Sequence, residues 1–139
     1  MKFINKRMLL VINRMCITIT GGIQQQGNNI REGMNLGFVE KIHCNELFGQ
    51  PIFPDIFHQA AAYMFYIIKN HVFTDGNKRT GLATAITFLY WNGILFKPFD
   101  EDMVFDFVIN VAEGKNDPDE IVPLIAQWFK ELSLKPVLT

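Results

Sequence analysis

Two apolar stretches, Asp55–Asn70 and Lys78–Asn92, both read as helices, and only seven residues separate them. In the first, Ile56, Ala60, Tyr63 and Ile67 make one stripe and Phe57, Ala61, Met64 and Ile68 the adjacent one. That width predicts a largely buried helix. In the second, Leu82, Ala83, Ala85, Ile86, Phe88, Leu89, Tyr90 and Trp91 lie nearly all round, which predicts the central helix of the fold. Thr80, Thr84 and Thr87 are tolerable there because their hydroxyls can bond back to the previous turn. With so short a link, His71–Lys78 is expected in a cleft at the mouth of the two helices.

The other segments add four helices. Met8, Leu9, Ile12, Met15 and Cys16 give Asn5–Ile17 an apolar stripe at helical spacing. Its run Met8–Ile12 is cut by Asn13 and Arg14, too short for a signal-peptide core of about seven to fifteen residues. Gly21-Gly22 stops what precedes it, and Gln24–Asn29 reads as a polar connector. Met34–His43, with Leu36, Phe38, Val39 and Ile42, predicts a short helix. In Phe48–Pro54, Pro51 and Pro54 exclude a helix and favour an extended strap packed across the helices.

Asp55 is the expected N-cap of the helix it opens, and Asp100 of a helix through Glu113 with Met103, Val104, Phe107, Val108 and Val111 inward. Ile94–Phe96 is too short for more than a connector. After a turn at Gly114–Asp117, Asp117 and Pro118 start the last helix in cap-and-N1 order, with Ile121, Ile125, Trp128 and Leu132 buried. The expectation is an all-α, compact six-helix bundle without a convincing sheet, forming a single domain over residues 1–139.

The balance of charge narrows the function. A net charge of −1 offers no general attraction to nucleic acid or to acidic membranes. No segment approaches the roughly eighteen uninterrupted apolar residues of a membrane span. Cys16 and Cys44 lack metal-type spacing and read as free thiols in a reducing cytoplasm. His43 beside Cys44 lacks further ligands at suitable spacing.

The chemistry concentrates in His71-Val72-Phe73-Thr74-Asp75-Gly76-Asn77-Lys78-Arg79. His71 can exchange a proton near neutral pH. Asp75 offers hard oxygen to Mg²⁺. Gly76 permits positive φ and close approach. Asn77, Lys78 and Arg79 open a helix whose free N–H groups form an anion site. Lys78 and Arg79 oppose the helix dipole there, at a few tenths of a kcal/mol each, and a bound anion would remove that penalty. Together these residues describe phosphoryl chemistry.

His-x-Phe-x-Asp-Gly-Asn-Lys-Arg, followed by Thr80 and an apolar helix ending at Asn92-Gly93, closely resembles the signature of the Fic/Doc (Fido) family, nearest its Doc (death-on-curing) branch. The resemblance covers roughly Lys6 to Leu132. It implies that His71 is the general base that activates a hydroxyl on a target protein, with Asp75 holding Mg²⁺. It also implies that Gly76, Asn77, Lys78 and Arg79 bind the phosphates of ATP, and that Phe73 pins the loop into the core. Relatives of the Fic type use the stretch matching Phe48–Pro54 as a flap along which the target lies, so a docking edge is the alternative to the strap.

Adenylyl-transferring Fic enzymes carry glycine where this chain has Lys78, and a second arginine where it has Leu82. The similarity to Doc implies a reversed nucleotide that presents its γ-phosphate, so that the product is a phosphorylated protein hydroxyl. In Doc-like toxins that hydroxyl is a threonine of elongation factor Tu, and its modification blocks translation. A Fic-type adenylyltransferase and a catalytically idle nucleotide-binding module are the alternatives. Self-inhibited Fic proteins contain Ser/Thr-x-x-x-Glu-Gly/Asn; the nearest string here, Asn28–Gly33, begins with asparagine and reads as coincidence. A chain without its own brake implies a small antitoxin in trans, contributing a segment that folds into a helix on binding.

Overall fold

The computed structural model of the chain describes residues 2–20, 29–114 and 117–134. Its elements in order are α1 (Lys6–Thr20), α2 (Gly37–Lys41), β1 (Glu46–Leu47), β2 (Gln50–Pro51), α3 (Ile56–Lys69), α4 (Asn77–Trp91), α5 (Glu101–Glu113) and α6 (Pro118–Leu132). The all-α expectation holds, with one two-residue hairpin added.

Side-chain caps set three of the helix starts. The Asp55 carboxylate accepts from His58 N–H at 2.8 Å, Asp100 from Asp102 N–H at 2.8 Å and Asp117 from Asp119 N–H at 3.0 Å. Each satisfies a first-turn donor that the helix itself cannot. Pro118 occupies the first turn of α6, where its missing N–H costs nothing.

The buried centre is α3. Every residue from Gln59 to Phe65 is buried, as are Ile67 and Ile68, because α4 and α6 cover it with α5 alongside. Sequence patterning gives that place to α4, but α4 buries only Thr80, Gly81, Thr84, Ala85, Phe88 and Leu89. These residues form one face, set between α3 and α1, while Tyr90 and Trp91 turn to solvent. Among the described residues the Thr84 hydroxyl has no partner, and Thr80 is bonded from α1, so neither shows the expected back-bond. At Gly81 the two helices pack so tightly that a Cβ would lie 2.9 Å from Ile68 Cγ1 and 3.1 Å from the Met64 carbonyl.

Around this pair, α1 buries Leu9, Asn13 and Ile17, one residue per turn, and leaves Met15 exposed. It runs on through Thr18–Thr20, since β-branched residues weaken a helix by only a few tenths of a kcal/mol each. On α5, Val104, Val108 and Val111 face inward and Phe107 stacks on Trp128 of α6 with centroids 4.0 Å apart. Met103, expected inward, is one step round the helix and 69 % exposed. The 94–96 connector forms an isolated antiparallel bridge between Phe96 and Ser133, tying the end of α6 to the end of α4.

Phe48–Pro54 is not the expected strap. Glu46 pairs with Pro51 and Leu47 with Gln50 across a turn in which Phe48 (φ 53°) and Gly49 (φ 76°) are both left-handed, the geometry of a tight hairpin. Phe48 stands at its tip, 95 % exposed, and within this stretch only Phe53 packs on the core. Residues 24–28 of the expected polar connector lie outside the described residues, but Asn29 is buried.

Two predictions follow from the packing and the caps. Gly81→Ala should lower stability by about 1–2 kcal/mol, overpacking against Ile68 outweighing the roughly 1 kcal/mol of helix propensity gained. In urea unfolding, Ile68→Ala should cost less in the Gly81→Ala background than in the parent, giving a coupling of the two sites. For Asp55, burial raises the carboxyl pKa, but hydrogen bonds from the His58 ring and N–H, with the His58 and Lys130 charges, outweigh it and hold the net value below the ordinary one. A carboxylate lowered on folding stabilises above its unfolded pKa and loses that contribution as pH falls through the folded value. Asp55→Ala should therefore cost about 1 kcal/mol at pH 7 and progressively less below about pH 4, read from urea midpoints.

Candidate active site

The site begins where α3 ends. His71 follows the Asn70 C-cap with φ at +47°, a left-handed backbone that costs an L-residue about 1–2 kcal/mol. The chain is held in it from outside. Arg31 Nε donates to the His71 carbonyl at 2.7 Å and its Nη2 to the Asn70 carbonyl at 2.9 Å. Backbone pairing extends the clamp: Arg31 N–H donates to Val72 O and Thr74 N–H to Asn29 O, both at 2.9 Å, around the Ile30–Phe73 bridge. The imidazole is left exposed while Val72 and Phe73 are driven into the core, as expected of Phe73.

The second half of the loop is closed by amides. Asn77 Oδ1 accepts from Phe73 N–H at 2.8 Å and its Nδ2 donates to Phe73 O at 2.9 Å, a two-point ring around one residue's backbone. Asp75 Oδ1 accepts from Gly76 N–H at 2.8 Å. Gly76 then takes φ +77°, and a Cβ there would meet Ile17 Cγ1 at 3.3 Å, so both conformation and space favour glycine.

From α1, buried Asn13 donates through Nδ2 to Asp75 O at 3.2 Å and to Thr80 Oγ1 at 3.0 Å. Its Oδ1 accepts from Asn29 Nδ2 at 3.1 Å. One side chain thereby joins α1, the loop, α4 and the 29–31 segment.

His71, Asp75, Gly76, Asn77, Lys78 and Arg79 all line one hollow of about 500 Å³, bounded by Ile68, Phe105 and Ala112 among others. A second hollow of about 580 Å³ lies beside it, lined by Arg31, Met34, Lys69, Asn70 and Phe73, and His71, Thr74 and Asn77 border both. Unlike α3, α5 and α6, α4 opens without a side-chain cap, and Lys78 and Arg79 stand exposed on its first turn. First-turn donors and two cations thus converge on the hollow that holds the imidazole and the carboxylate.

Among the described residues no group of three His, Cys, Asp or Glu is placed to hold a metal by protein ligands alone. Two carboxylates, Asp75 and the exposed Glu113, line the hollow beside its cations; so sparse a set suits Mg²⁺, which keeps several waters and binds through one or two carboxylates plus substrate phosphates. Cys16 stands close to Thr80 and Arg79; burial pushes its thiol up, outweighing the lowering by the Thr80 hydrogen bond and the Arg79 charge. It is a protonated packing group at neutral pH.

The Fic/DOC family model matches residues 3–89, which contain every residue just described except those of α5. The chain belongs to the Fic/Doc family. It is similar to Toxin Doc of Mycolicibacterium smegmatis, 38 % identical over 81 residues, which are 58 % of this chain and 62 % of that protein. It is also similar to Protein kinase doc of Escherichia phage P1, 28 % identical over 130 residues, 93 % of this chain and 97 % of that one. The match to the mycobacterial relative thus spans less than two thirds of its length.

Sequence reasoning missed the Fic/Doc loop's supports, Asn13, Asn29 and Arg31, and it missed Lys69, which ties the end of α3 to that of α5 by donating from Nζ to the Ala112 carbonyl at 3.3 Å and to Gly114 O. A signal existed for Asn13 alone, an amide amid the apolar residues of α1, because a buried amide needs partners. Asn13→Ala strips partners from Asn29 Nδ2, Thr80 Oγ1 and the Asp75 carbonyl. It should cost about 2–3 kcal/mol in chemical unfolding and speed amide hydrogen exchange at residues 73–77.

Proposed function

We propose that this Fic/Doc chain transfers the γ-phosphate of Mg-ATP to a hydroxyl of a protein substrate, and acts as the toxin of a toxin–antitoxin pair. The observation that carries it is the convergence of His71, Asp75 and the uncapped, cationic start of α4 on one hollow. The names of the two relatives, Toxin Doc and Protein kinase doc, point the same way.

In this reading His71 accepts the proton of the incoming hydroxyl, which enters by the hollow of Arg31 and Met34. Asp75 holds Mg²⁺, which supplies neutralisation of phosphate oxygens. Asn77, Lys78 and Arg79 present backbone N–H groups to phosphate, and Lys78 and Arg79 add charge where negative charge accumulates. The Asn77 amide is already spent on Phe73, so its part is to hold the loop, with its N–H facing the anion. Arg31 fixes the backbone that presents His71, which keeps the base in place before any ligand arrives. By the Doc resemblance the acceptor is a threonine of elongation factor Tu, and the antitoxin acts in trans.

The test uses purified chain, Mg²⁺, elongation factor Tu and ATP labelled at either the γ- or the α-phosphate. Label from γ-ATP should enter the factor, and His71→Ala should lower the rate by about 10²–10⁴-fold. Label from α-ATP alone would instead assign adenylyl transfer, and nucleotide binding without any transfer an idle module. Arg31→Ala should lower kcat more than it raises KM for ATP, by about tenfold, since it positions the base and does not touch the nucleotide hollow.

A further inference from the structure

The two hollows that meet at His71 differ in charge. In the hollow of the Asp75–Arg79 loop, Asp75 and Glu113 offset Lys78 and Arg79. The hollow of about 580 Å³ on the other side carries two cations, Arg31 and Lys69, and no Asp or Glu lines it. Neither cation is neutralised by its hydrogen bonds. Arg31 donates to the His71 and Asn70 carbonyls, and Lys69 to those of Ala112 and Gly114. A carbonyl satisfies a donor but brings no net charge. Among the described residues no carboxylate lies within ion-pair distance of either group. The same bonds hold both side chains in place, so little rotamer freedom is left for a ligand to remove.

A wall of this kind draws negative charge and repels positive charge, over about 8 Å at physiological salt. Resting on the phosphoryl-transfer reading, we propose that this hollow selects the acceptor protein by charge: the hydroxyl that reaches His71 is carried on an acidic segment, whose aspartate or glutamate side chains face Arg31 and Lys69. Extended chain spans about 3.3–3.6 Å per residue, so carboxylates within about three residues of the hydroxyl are the ones the two cations meet. Lys69 is the residue that isolates the effect. Arg31 also fixes the backbone that presents His71, whereas the hydrogen bonds of the Lys69 ammonium run only to the end of α5. The charge of Lys69 therefore bears on the choice of acceptor, separately from the placing of the base.

The test follows transfer from γ-labelled Mg-ATP to three sets of peptides, each with one central threonine flanked on both sides by Asp/Glu, by Gly/Ala or by Lys/Arg. Parallel reactions contain elongation factor Tu, and every peptide is also scored as an inhibitor of transfer to the factor. The acidic set should exceed the neutral set about tenfold in kcat/KM, or in potency as inhibitor, with the basic set last. Raising NaCl from about 50 to about 500 mM should bring the sets within about twofold. Lys69→Gln keeps an N–H donor for the two carbonyls and removes the charge. It should cut the acidic advantage about threefold while leaving KM for ATP and the neutral peptides unchanged, and Lys69→Arg should retain the advantage. Equal values for the three sets, as acceptors and as inhibitors, overturn the acidic preference, and label in the factor then leaves phosphoryl transfer standing. A higher KM for ATP in Lys69→Gln with the peptide ranking unchanged assigns the cation to nucleotide phosphate and also overturns it. Transfer to neither peptide nor factor overturns the preference and the phosphoryl-transfer reading together.

Discussion

The structure depends on a ring of amide hydrogen bonds that makes a seven-residue link between two helices rigid. Asn77 grips both polar atoms of the Phe73 backbone, and Asn13 grips the Asp75 carbonyl from a different helix. A loop of this length would otherwise sample many conformations, at about 1–2 kcal/mol of backbone entropy per residue fixed. The two asparagines, with Phe73 buried beneath them, leave one conformation that satisfies every partner. The exposed side chains of the motif, His71, Lys78 and Arg79, make none of these contacts. The residues that hold the loop and those left exposed at the hollow are different parts of one short segment.

The same division appears at the helix starts. Asp55, Asp100 and Asp117 each place a carboxylate on a first turn, where it complements the positive end of the helix dipole. The start of α4 instead has glycine at the cap and two cations beyond it. That arrangement forgoes a capping bond and sets two cations against the helix dipole, and burial of Gly81, Thr84, Ala85, Phe88 and Leu89 against α3 and α1 offsets the loss. Strain at His71 is compensated likewise, by an arginine forty residues earlier that binds the two carbonyls the turn leaves over. A loop held in this way is ordered by the chain's own contacts.

Much of the fold was legible from pattern. Capping aspartates and prolines mark boundaries through local bonds, so α3, α5 and α6 begin where their sequences say. Misplaced residues came from judgements of which face is buried. Met15 and Met103 have apolar side chains at helical spacing, yet each lies one step off the stripe that meets a neighbour. Phe48 looks like core and stands at a hairpin tip, because Phe48-Gly49 supplies the two left-handed residues a tight turn needs. Apolar character is a property of the residue, whereas cover is a property of what packs against it.

The residues of the motif and their chemical types could be named from the chain alone, because their spacing within nine positions is local and their functional groups do not depend on context. Their convergence could not, since His71 and Asp75 share a hollow only once Arg31, Asn29 and Asn13 have closed the link from elsewhere in the chain. Those contacts join positions 39 to 62 apart, and no periodicity or propensity encodes a pairing at such separations.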